Sequence, residues 1–185
     1  MSEQPLSRVT LFVAAGLAAV LVVGVIVASR LVGGSSESPA EAGPTTQPPR
    51  PTGPLALVAV DAPDAAAPAC GALVNALPTE LPSKGKELTR LAIADPAPPA
   101  SAAWAGDRGE PVVLRCGLGK PPELVPTAQL RLVSKVNWLP IEGAGATTWY
   151  TVDRPVYIAL TIPDDAGTGV VQEMSETIAK SVPAA

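Results

Sequence analysis

Apolar and polar positions along the chain fall into three regimes. Residues 9–29, VTLFVAAGLAAVLVVGVIVAS, carry no charge and are bounded by Arg8 and Arg30. At about 1.5 Å per helical residue such a run spans roughly 30 Å, the thickness of a bilayer's hydrocarbon core, with its backbone hydrogen bonds made internally. The pattern predicts a transmembrane anchor over 9–32, after a short cytoplasmic N-terminus, 1–8. The rival reading is a cleavable signal peptide, whose apolar region is usually about 7–15 residues and ends in an A-x-A-like site. The longer run, and Arg30 close after Ala28, favour an uncleaved anchor. Residues 33–54, GGSSESPAEAGPTTQPPRPTGP, contain no Val, Ile, Leu, Met or aromatic residue and have nothing with which to build a core. They read as a disordered linker, flexible at the Gly/Ser start and stiffer in the Pro-rich second half.

The third regime, 55–185, has the apolar content of a folded domain. Near 66–77, Cys70, Leu73, Val74 and Leu77 recur at helical spacing and Pro78 ends the run. Near 169–181, Val171, Met174 and Ile178 form a stripe, Thr168 suits an N-cap, and Lys180 in the last turn complements the helix dipole. Period-two alternation predicts strands at 128–136 and 156–162. A further strand is read near 147–152, joined to the next through a turn at Asp153-Arg154-Pro155. LALVAV at 55–60, TRLAI at 89–93 and PVVLRC at 111–116 complete the set. The order β-α-β-β-β-β-β-α has connections too short for most parallel crossovers. The expectation is an α+β domain with a mainly antiparallel sheet and two helices.

Charge and composition then narrow the chemistry. A net charge of −4 speaks against a general nucleic-acid binder, which is normally basic. The absence of His removes the commonest general base and metal ligand, and with it Ser-His-Asp and Cys-His catalysis. No cofactor or metal site is implied by any motif. Ser83-Lys84-Gly85-Lys86 fits S-x-x-K, but it lies in a Pro/Gly-containing loop without SDN or KTG companions, and its lysines read as solvated charges. Asp61 with Asp64, Asp164 with Asp165, and Glu173 with Glu176 are the carboxylate pairs that could serve glycoside hydrolysis. Each also has an ordinary structural explanation. No catalytic residue is assigned.

Cys70 and Cys116 invite a disulfide in a tethered extracytoplasmic domain. The alternative is a pair of buried thiols in a cytosolic one. The disulfide reading goes together with an outside orientation, since Arg8 and Arg30 leave the positive-inside rule nearly tied. Trp138 and Trp149 fall in predicted strands and read as core. Trp104 sits in the long Pro/Ala segment 95–109. It is either a platform for a ligand or partner, or a plug that packs over the sheet and pins its loop.

PACGALVNALP, W…PVVLRCG, VNWLP and TVDRPVYIALTIP, followed by the closing helix, resemble an actinobacterial domain-of-unknown-function family, number thirty-five fifteen, over most of 55–183. Its members are exported or single-pass anchored proteins with two cysteines, matched here by Cys70 and Cys116. The resemblance implies their pairing and transfers no catalytic residue. The resulting expectation is a membrane-anchored cell-envelope protein with residues 55–185 outside the cytoplasm. It would be a non-enzymatic binding or scaffolding module whose partner is another envelope protein or a wall polymer. The alternative is a carboxylate-dependent cell-wall hydrolase, and a weaker third reading is a small-molecule binder.

Overall fold

The computed structural model describes residues 53–185. The predicted anchor over 9–32, the N-terminus 1–8 and all but the last two residues of the predicted linker lie outside the described residues. Among the described residues no helix is long and apolar enough to cross a membrane. In chain order the elements are α1 (Pro68–Ala76), β1 (Glu80–Ser83), β2 (Lys86–Arg90), β3 (Ser101–Ala105), β4 (Val112–Leu118), β5 (Arg131–Val133), β6 (Val136–Gly143), β7 (Ala146–Thr151), β8 (Tyr157–Pro163) and α2 (Gly169–Ser181). The fold is α+β, with all eight strands in one antiparallel sheet ordered β1-β2-β3-β4-β8-β7-β6-β5.

The two helices form where their apolar stripes predict. In α1, Pro68 occupies the first turn, where its missing N–H costs nothing, and Cys70 and Leu73 are buried. In α2, Val170, Val171, Met174, Ser175 and Ile178 face the core. Thr168 occupies the cap position but is itself helical in backbone and makes no side-chain cap bond, contrary to expectation.

Other elements depart from the pattern for identifiable reasons. The predicted strand 128–136 is broken, because Ser134 and Lys135 both take positive φ and form a two-residue hairpin turn between β5 and β6. LALVAV at 55–60 is no strand. Leu55 alone bridges Ile93, while Val58 and Val60 are exposed, because no neighbouring strand offers that run a ladder. The segment 95–109 is not one loop but contains β3, whose Ala-rich sequence carries little strand propensity. β1, unrecognised in the pattern, holds Pro82 at a sheet edge, where a missing donor is tolerated.

One face of the sheet meets the helices through Trp104, Leu114, Cys116, Trp138, Ile158 and Leu160. Cys116 of β4 is joined to Cys70 of α1 by a disulfide with Cα atoms 5.6 Å apart, across a sequence separation of 46. Trp138 of β6 donates its indole N–H to Ser175 Oγ of α2 (2.8 Å), and Ser175 in turn donates to the Val171 carbonyl. Laid flat, eight strands at about 4.8 Å would be roughly 34 Å wide. A helix of 13 residues is only about 20 Å long. Yet α2 contacts β1 at one edge and both β5 and β6 at the other. The sheet is therefore strongly coiled, and α2 lies across the gap between its two edges.

Candidate binding cleft

Three connections converge at the β1 end of this arrangement: the β1–β2 hairpin turn, the β3–β4 connection (106–111) and the β8–α2 connection (164–168). They enclose an open cleft of about 920 Å³. The hairpin contributes Lys84, Lys86 and Glu87, the second connection Asp107, Arg108 and Glu110, and the third Asp165. Three cations and four carboxylates thus face a common space.

Close backbone contacts fix these walls to one another. Gly167 donates its N–H to Ser83 Oγ (3.1 Å), and a Cβ added at Gly167 would stand 2.8 Å from the Lys84 nitrogen. A Cβ at Gly109 would stand 2.5 Å from Asp165 Oδ2, so the carboxylate occupies the room that a side chain at 109 would take. A Cβ at Gly169 would come within 2.9 Å of the Pro82 carbonyl oxygen. At Gly167 and Gly169, where the neighbour is backbone, larger residues would push the walls apart; at Gly109 a side chain would displace the Asp165 carboxylate and strain a backbone at φ 93°. The cleft is consequently a built frame carrying charged side chains, with Ser83 buried beneath it and Lys84 and Lys86 exposed at its rim.

Of the six carboxylates singled out as pairs, only Asp165 reaches this cleft. Asp61 and Asp64 are exposed in the segment before α1, Asp164 is exposed beside Asp165, and Glu176 pairs with Lys180 one turn along α2 (3.7 Å). The pattern missed Glu87 because it lies alone in its stretch of sequence, and missed Asp107 with Glu110, three residues apart in one connection, although their spacing matches that of two of the pairs singled out. Among the described residues no group of three or more His, Cys, Asp or Glu side chains stands together as a metal-binding set.

The structure places Trp104 in β3 with its side chain fully buried. Its indole N–H donates to the Pro78 carbonyl (3.0 Å), and the Arg90 guanidinium lies 5.1 Å from its ring centroid. Both its polar atom and one ring face are thus occupied from within the domain. Trp138 is also fully buried and meets Trp149 edge-on, with ring centroids 6.4 Å apart.

Neither the curated proteins nor the solved structures contain a match to this chain. A family model described as "Protein of unknown function (DUF3515)" matches residues 15–185. That span takes in all of the described residues and far more than half of the chain, and the chain therefore belongs to the DUF3515 family.

Proposed function

We propose that the protein is a membrane-anchored cell-envelope module that binds rather than transforms its partner, through the charged cleft at the β1 end of the sheet. The observation that carries this reading is the close backbone seating of the cleft's first and third walls on each other at Gly167 and Gly169. A frame fixed before contact spares the ordering cost that weakens binding by mobile loops. The mixture of three cations with four carboxylates suits a polar partner bearing both signs of charge, such as a peptide-containing wall polymer or an envelope protein. The disulfide supports an extracytoplasmic placement, since such bonds persist in oxidising compartments.

Charge reversal tests the binding surface. Lys84→Glu combined with Lys86→Glu in the full chain should reduce co-sedimentation with purified wall material about tenfold or more, with far-ultraviolet dichroism unchanged. Unchanged co-sedimentation would remove the cleft from the reading. The convergence of Asp165 with Glu87, Asp107 and Glu110 keeps a carboxylate-dependent hydrolase as the second reading. Release of soluble wall fragments by the protein, lost in Asp165→Asn, would put that reading first.

A further inference from the structure

We infer that the sheet face opposite the helices carries an oxyanion-binding site, in which the Arg115 guanidinium is the principal donor and the Tyr150 hydroxyl stands beside it. The site shares no residue with the cleft and does not depend on the function proposed for it.

The backbone register builds it. Leu114 and Cys116 point into the core, so Arg115 between them projects from the other face of β4. Ser101, Arg115, Ala159 and Tyr150 are successive cross-strand partners on β3, β4, β8 and β7, and so form one row on that face. Arg115 and Tyr150 are two strands apart, roughly 10 Å between Cα atoms, with only the Ala159 methyl between them. A guanidinium can lie over that methyl and reach toward the phenol. Against the rise caused by burial, the Arg115 charge pulls the Tyr150 pKa down, as a cation on the same sheet face does.

What singles out Arg115 is what it lacks. Among the described residues its Nη1 is sealed from solvent with no hydrogen-bond partner, and it forms no ion pair with a carboxylate. The other arginine with a buried unpartnered nitrogen, Arg154, differs. Its Nη2 donates to the Lys135 carbonyl (2.6 Å) and its Nε lies 3.7 Å from Asp153 Oδ1. A guanidinium presents five donors in a planar fork that matches the paired oxygens of a carboxylate or phosphate. Arg115 holds that fork on a central strand, beside a hydroxyl that can donate a further bond. Glu123, in the connection after β4, adds to burial in raising the Tyr150 pKa and would likewise oppose an anion there.

The test is an anion titration of the full chain in detergent, following the side-chain resonance of isotope-labelled Arg115. Inorganic phosphate and acetate are titrated in parallel against chloride at matched ionic strength. The inference expects a saturable shift with phosphate, acetate or both, and the stronger of the two identifies the natural group as phosphate or carboxylate. Arg115→Gln should weaken binding about tenfold, read at the labelled Tyr150 ring, and Tyr150→Phe about threefold. Glu123→Gln should tighten it severalfold by removing a like charge. Glu123 is exposed, so that variant reads the site even where Arg115→Gln fails to fold. A linear shift equal to that with chloride, or a folded Arg115→Gln chain that binds as well as wild type, would overturn the inference.

Discussion

Three arginines of the domain are drawn at least partly out of solvent, and each meets the cost differently. Arg90 places its charge against the Trp104 ring, whose negative face favours a cation. Arg154 is held by the Lys135 carbonyl and by Asp153, whose other carboxylate oxygen accepts from the backbone and side-chain N–H groups of Asn137. Arg115 has neither kind of partner, and burial lowers its pKa, an effect that nearby Tyr150 opposes. Tyr150 is displaced in the opposite sense: burial raises its pKa first, Glu123 raises it further, and Arg115 pulls it back. The protonated phenol is therefore favoured in the folded state. Its contribution is fully present below the ordinary tyrosine pKa of about 10 and is lost as pH rises through the raised folded value. Urea unfolding at a series of alkaline pH values should show wild type losing stability relative to Tyr150→Phe from about pH 10 upward. A difference between the two that does not vary with pH would contradict the assigned burial.

Among the elements, those with one continuous buried stripe were legible in the chain and those shaped by their neighbours were not. Helix α2 could be read from Val171, Met174 and Ile178 because a 3.6-residue period has no other use for that spacing. β8 was legible because Ile158, Leu160 and Ile162 all fall on its core face. β3 was hidden, because Ala102 and Ala103 face opposite sides of a central strand and become strand residues only once β2 and β4 flank them. The β5–β6 turn was hidden because left-handed Ser134 and Lys135 carry none of the Gly or Asn signal such turns usually show. The link between α1 and β4 gives the element-scale prediction. Closing a loop of this length is worth roughly 4 kcal/mol in the chain-entropy model. Cys70→Ser and Cys116→Ser should each lower stability by about 2–5 kcal/mol, and the double variant should be no worse than either alone. Additive losses in thermal melts would mean that the cysteines contribute separately.

At the scale of the whole molecule, the α+β class was legible, while the cleft was not. No window of sequence contains Lys84, Arg108 and Asp165 together; the antiparallel alternation that runs β1, β3 and β8 in one direction brings their connections to one end. The extracytoplasmic placement proposed for the domain has its own check. In whole cells denatured with and without prior reduction, both cysteines should label with a thiol reagent only after reduction. Free labelling without reductant would move the domain, and the search for its partner, to the inner face of the membrane. The position of α2 across both sheet edges has a consequence in time. α2 follows every strand in the chain, so as the polypeptide emerges from a ribosome or a translocon both edges are exposed before the element that covers them arrives. Strand pairing can begin early, but closure waits for the final helix, and the fold cannot be completed piece by piece. A chain halted before residue 169 would present two open edges to any neighbouring chain, the condition under which sheets join edge to edge and aggregate.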